Sequence, residues 1–95
     1  MAGVEQRAKT LRKRIEQTIA NHPDVLEEVR GLGMMLGIKA VVPAGDLVAA
    51  MRDRHVLVVP AGDNVMRFLP PLVIDDSHID EAITALEDAC VALKP

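Results

Sequence analysis

The sequence predicts an α+β fold: a two-layer sandwich in which a small, mainly antiparallel sheet carries helices on one face, in the order α-β-α-β-β-α. Three observations lead there. Apolar residues recur at helical spacing in three separated stretches. Short apolar runs, β-branched or interrupted by glycine, lie between them. Proline- and glycine-containing turns divide the stretches, so helices and strands alternate closely enough to share one core. With 95 residues, residues 1–95 read as a single domain. A chain this short buries only about 60% of the surface its unfolded form exposes, so it has little stability to spare. Phe68 is the only aromatic residue, so the core is expected to be aliphatic.

The first helix is expected over residues 4–20. Val4, Ala8, Leu11, Ile15 and Ile19 form one apolar stripe at spacings of three and four, and Asn21-His22-Pro23 ends it, because a residue before proline disfavours the helical region. Gly31, Gly33 and Gly37 weaken any helix through the next apolar segment. That segment reads as one bent or bulged strand over roughly 29–40. Pro43-Ala44-Gly45-Asp46 opens a second helix to about Arg54, with Leu47, Val48 and Met51 inward. Val56 to Val59 reads as a short strand and Pro60-Ala61-Gly62-Asp63-Asn64 as a turn. Val65 to Leu69 reads as the next strand, stopped by Pro70-Pro71. In the last helix Asp75 is the expected N-cap, and Ile74 with Ile79 a hydrophobic staple. Its apolar face is Ile79, Ala82, Ile83, Leu86, Ala89, Cys90 and Leu93. The string Val-Val-Pro-Ala-Gly-Asp occurs at 41–46 and again at 58–63. The flanks differ, which predicts a helix start in the first place and a hairpin turn in the second rather than a structural repeat.

A formal net charge of -3 points to no nucleic-acid or membrane partner. The basic cluster Arg7, Lys9, Arg12, Lys13 and Arg14 reads as a solvated helix face, with no aromatic residues interleaved for base stacking. No apolar run is long enough to span a membrane, no signal peptide is evident, and a lone cysteine leaves no internal disulfide. A cytoplasmic protein is the resulting expectation.

Few residues offer chemistry. His22, His55 and His78 lie in different elements without metal-ligand spacing and read as ordinary surface histidines. Cys90 falls on an apolar stripe and reads as a buried structural thiol. The segment from Gly31 to Gly37 fails the dinucleotide fingerprint, since Leu36 stands where a glycine is required. No catalytic, cofactor-binding or metal-ligating residue is expected. Arg67 stands apart: it lies within Val65-Met66-Arg67-Phe68-Leu69, otherwise wholly apolar. A guanidinium there must be paired, for example with Glu27 or Glu28, or reach a wet cleft where its planar fork matches a carboxylate.

Two segments carry a resemblance. Glu28-Val29-Arg30-Gly31-Leu32-Gly33-Met34-Met35 resembles the start of the C-terminal domain of class III aminotransferases. Val58-Val59-Pro60-Ala61-Gly62-Asp63-Asn64-Val65-Met66-Arg67-Phe68-Leu69-Pro70-Pro71-Leu72 is similar to a segment near the C-terminus of those enzymes, most like the acetylornithine type. The resemblance runs in order along essentially the whole chain. It implies the C-terminal small domain of a fold-type I, homodimeric, pyridoxal-phosphate-dependent transaminase. Such an enzyme moves an amino group between N-acetylornithine and 2-oxoglutarate in arginine biosynthesis. It also implies that Arg67 holds a substrate carboxylate. The cofactor lysine and phosphate loops of the family belong to a large domain that these residues do not include. None of Lys9, Lys13, Lys39 or Lys94 combines a desolvated setting with an activating neighbour. The chain alone is therefore expected to be inactive and to bind no pyridoxal phosphate. The missing large domain is its expected partner, and a homo-oligomer its expected state, with the glycine-interrupted strand and Met34-Met35-Leu36 as the apolar surface left uncovered. The competing interpretation is a free-standing small-molecule-binding regulatory module with a ferredoxin-like core, which leaves the Arg67 segment unexplained.

Overall fold

A computed structural model describes residues 2–32, 35–56, 58–68 and 76–94. Helix α1 (Ala2–Asn21) is followed by strands β1 (Leu26–Leu32) and β2 (Met35–Ala40), helix α2 (Ala44–Asp53), strands β3 (Val58–Ala61) and β4 (Val65–Phe68), and helix α3 (Asp76–Leu93). The four strands form one antiparallel sheet in the order β1-β2-β4-β3. The α+β class with helices on one face is as expected, and the element order is α-β-β-α-β-β-α.

The added element is the main departure. The segment expected as a single bent strand is two antiparallel strands, with Val29 opposite Ile38 and Leu32 opposite Met35. Glycine serves a bend and a reversal equally well, because both need conformations that a Cβ disfavours; Gly31 takes φ 104°. Only the pairing distinguishes them. An irregularity between Leu26 and Glu28 puts one extra residue in β1, so that Glu27 and Glu28 are both exposed while Leu26 and Val29 are buried. Strand β3 ends two residues later than expected, at Ala61, because its ladder with β4 runs from Val58–Phe68 to Ala61–Val65. It is an edge strand, where Pro60 costs the ladder nothing.

The two copies of Val-Val-Pro-Ala-Gly-Asp diverge as their flanks predict. In the first, Pro43 precedes α2 and Asp46 lies in its first turn; in the second, Pro60 and Ala61 finish β3. The Ile74–Ile79 staple and the Asp75 cap involve residues outside the described set.

Helix α1 packs on β1 and α3, and α2 packs on α3 and on the three strands β2, β3 and β4. Apart from Phe68 the buried core has no aromatic side chain: Leu11, Ile15, Leu26, Ile38, Leu47, Met51, Met66, Ile79 and Leu86 are all at most 2% exposed. Leu36 is buried with them, so it cannot belong to an uncovered apolar surface as expected. Thr18, buried among these side chains, donates its hydroxyl hydrogen to the Arg14 carbonyl at 3.1 Å, which removes the penalty of a buried polar group. Arg14 in turn pairs with Asp80 of α3. His22 is not an ordinary surface histidine: its Nε2 lies 2.7 Å from Glu87 Oε2, joining the ends of α1 and α3. Strands β2 and β3 run in the same direction with β4 between them. The run β2-α2-β3-β4-α3 therefore has the split β-α-β plan of a ferredoxin-like core, with β1 supplying the outer strand.

Candidate functional site

The candidate site is on the sheet face away from the helices. Along β4, Met66 and Phe68 point into the core, while Arg67 points out and is exposed. Strand alternation imposes this: with two large apolar side chains buried on either side of it, Arg67 has to face solvent. Arg67 sits opposite Gly37 of β2 and Val59 of β3, and Gly37 sits opposite Arg30 of β1. Arg30, Gly37, Val65 and Arg67, with Ala61 and Gly62 at the rim, line a hollow of about 260 Å³.

Among the described residues three cations lie on this face, and two of them have acidic partners. The Arg30 guanidinium donates from one terminal nitrogen (Nη1) to Asp63 Oδ2 at 2.6 Å and from Nε to Glu28 Oε2 at 3.3 Å. The Lys39 ammonium lies 3.5 Å from Asp63 Oδ2 and 3.8 Å from Glu27 Oε2. Arg30 first, and Lys39 with it, hold the Asp63 carboxyl below the usual carboxylate range. Asp63 and, to a lesser degree, Glu28 raise Arg30 in turn. Among the described residues, no hydrogen bond or ion pair engages the Arg67 guanidinium. Glu27 and Glu28, its possible internal partners, pair with Lys39 and Arg30 instead. A free, planar, permanently charged fork at the edge of a small hollow suits an incoming carboxylate.

Asn64 fixes the turn from which β4 starts. Asp63 and Asn64 both take the left-handed region, at φ 63° and 59°, which short polar side chains tolerate better than most. The Asn64 amide donates to the carbonyls of Ala40 at 2.8 Å and Val42 at 2.9 Å. Its Oδ1 accepts the Ala44 N–H at 2.7 Å, and its backbone carbonyl accepts the Ala40 N–H at 3.0 Å. One side chain thus caps the start of α2 and locks the β3–β4 turn to the end of β2. Arg30, Gly37, Asp63 and Asn64 were not singled out from the sequence. The signal lay in the two motifs themselves, which the Arg30–Asp63 pair brings side by side across the sheet.

The remaining candidates behave differently. His55 takes φ 65° just beyond α2 and lines a separate hollow of about 550 Å³ with Arg54, Asp80, Glu81 and Asp88. Its walls mix charges of both signs, and no cluster suited to a metal ion occurs among the described residues. Cys90 is fully buried; burial, with Glu87 and Asp24 nearby, pushes its thiol up to about 12. The folded state therefore holds a proton that the unfolded chain releases near its ordinary value of 9.0. The resulting stability is present below that pH and is lost as pH rises through about 12. A thiol-reactive chromogenic disulfide at pH 8 is expected to label Cys90 slowly in the native chain and at once in denaturant. Equal rates in both would show an accessible thiol.

Of the four lysines, Lys9, Lys13 and Lys94 are exposed, and Lys39 pairs with Glu27 and Asp63. None combines the desolvated setting and activating neighbour that a pyridoxal Schiff base needs. No described helix is long and apolar enough to cross a membrane.

Comparison with known proteins adds a family. The profile of the class-III aminotransferase family matches residues 1–90. Acetylornithine aminotransferase 1 of Bradyrhizobium diazoefficiens is 49% identical over 90 residues, which are 95% of this chain and 22% of that enzyme. The crystal structure of N-acetylornithine aminotransferase from Stenotrophomonas maltophilia superposes with TM-score 0.82 at 32% identity, covering 96% of this chain and 26% of that one. The Toxoplasma gondii ornithine aminotransferase, whose structure shows partial occupancy of PLP at the active site, superposes with TM-score 0.80 at 25% identity, over 95% of this chain and 22% of that one. The chain thus spans about a fifth to a quarter of the length of these relatives.

Proposed function

Because this chain belongs to the class III aminotransferase family, we propose that it is the C-terminal, substrate-carboxylate-binding domain of an acetylornithine-type transaminase, completed by a large domain that carries the cofactor. The observation that carries this is Arg67, a guanidinium with no described partner, set beside a hollow on the open face of the sheet. Its fork would take the α-carboxylate of 2-oxoglutarate, which is bonded to the carbon that receives the amino group. N-acetylornithine gives up its δ-amino group, three carbons from the carbon that bears its carboxylate, so the donor's carboxylate lies elsewhere when its reacting carbon takes the same place. Arg30 and Lys39, already neutralised by Asp63, Glu27 and Glu28, leave Arg67 as the anchor for one carboxylate. The chemistry at the amino group belongs to pyridoxal phosphate, and the residues of this chain do not fit its covalent attachment.

Transfer from N-acetylornithine to 2-oxoglutarate, followed as glutamate formed by the intact enzyme, tests this function. The intact enzyme is expected to turn over and to sediment as a homodimer. The 95-residue chain should neither turn over nor retain a visible cofactor band after dialysis. A stoichiometric, dialysis-resistant band on the chain alone would overturn the division of labour. An intact enzyme inactive with N-acetylornithine but active with ornithine or 4-aminobutyrate would overturn the substrate and leave the domain assignment standing.

A further inference from the structure

Gly37 occupies the centre of the row Arg30–Gly37–Arg67, one residue from each of three neighbouring strands on the same face. Strands lie about 4.8 Å apart, so the two arginine backbones are roughly 10 Å apart, with Gly37 midway. A Cβ placed on Gly37 would lie 2.8 Å from Val65 Cγ1, 3.3 Å from the Met66 carbonyl oxygen and 3.9 Å from Arg67 Cα. The backbone of Gly37 is not in the left-handed region, so its torsions do not call for glycine; the space does. Gly45 and Gly62 differ, since a Cβ at either meets nothing within 4 Å.

We propose that Gly37 is a specificity-determining position for the carboxylate site: its missing side chain keeps the floor of the hollow open and lets Arg67 sit at the angle a carboxylate needs. This rests on Arg67 being the carboxylate-binding residue. Val65 cannot step aside freely, because it is only 7% exposed and its branched side chain is stiff about χ1. A methyl group at position 37 would therefore push on Val65 and on the β4 backbone at Met66. Arg67, the next residue along, would move with them. A two-point hydrogen-bonded fork tolerates such tilting badly. The site takes a single carboxylate on a slim neighbouring carbon.

The test is calorimetric binding of glutarate, a non-reacting dicarboxylate, to the intact enzyme and to its Gly37→Ala, Val65→Ala, Gly37→Ala/Val65→Ala and Arg67→Lys variants. Gly37→Ala is expected to weaken binding about ten- to a hundredfold, the scale at which small misplacements act. It should raise KM for 2-oxoglutarate more than it lowers kcat. Val65→Ala removes the closest clash, so the double variant should return to within about threefold of Val65→Ala alone. If Gly37→Ala does not fold, the double variant against Val65→Ala carries the comparison. Unchanged glutarate binding by Gly37→Ala, or a folded double variant that stays about tenfold or more weaker than Val65→Ala, would overturn the role of Gly37 while a weakened Arg67→Lys leaves the carboxylate site intact. Full binding by Arg67→Lys would remove the carboxylate site itself.

Discussion

Replacing Arg67 with lysine in the intact enzyme is expected to lower kcat/KM about ten- to a hundredfold, equivalent to the roughly 1.5–3 kcal/mol that a charge-assisted contact contributes. The charge is conserved, so the loss isolates geometry. An ammonium is a point charge on a flexible stem and cannot reproduce two parallel N–H···O bonds. The fall should be seen with 2-oxoglutarate, whose α-carboxylate adjoins the reacting carbon and meets the fork. Steady-state kinetics with the two substrates varied in turn would measure it, with circular dichroism to establish that the variant is folded. Unchanged constants for both substrates would mean that the open face of the sheet does not hold the carboxylate. A loss confined to the amino donor would mean that the fork holds that substrate's carboxylate instead. Nothing in the native network should compensate, since Arg30 and Lys39 are committed to Asp63, Glu28 and Glu27.

The second large effect is expected at Asn64, and it acts on stability. Asn64→Ala removes three side-chain hydrogen bonds, to Ala40, Val42 and Ala44. It also places a Cβ-bearing residue without a polar side chain at φ 59°. Together these should cost about 2–4 kcal/mol, from unsatisfied backbone groups and left-handed strain. Asn64→Gly separates the two terms. It loses the same hydrogen bonds but relieves the backbone, and should be about 1 kcal/mol less damaging than alanine. Urea denaturation midpoints of the chain and both variants would read this directly. Equal losses for alanine and glycine would show that the turn carries no strain. A loss below about 0.5 kcal/mol for alanine would show that water replaces the Asn64 contacts without penalty.

Residue periodicity was enough to locate the three helices and the apolar face of the last one. Of the stripe expected from spacing alone, Ile79, Ala82, Ile83, Leu86, Ala89 and Cys90 are buried and Leu93 is half-buried against the core, with Ala85 buried besides, because a helix must bury whichever face repeats every three to four residues. Strand β4 was legible for a similar reason: a single charge among apolar neighbours, on alternating geometry, must face away from the core. The two flanks of the repeated Val-Val-Pro-Ala-Gly-Asp string told a helix start from a turn, since the residues after a proline-glycine turn decide whether the chain coils or pairs.

Other features depended on residues distant in sequence. Whether Gly31 to Gly37 bends one strand or separates two is decided by the pairing of Ile38 with Val29 and Met66, which periodicity does not see. His22 looked like a surface residue because its partner, Glu87, is 65 positions away. Gly37 read as one of the glycines that bend a strand, yet its need for glycine comes from Val65 and Met66 on the neighbouring strand. The state of Arg67 was the most consequential of these. In sequence it had two possible acidic partners, and the sheet gave both of them to other cations. Local spacing determines which side chains share a face. Only the register between strands determines which of the charges on that face are already satisfied and which one, among the described residues, is left without a partner.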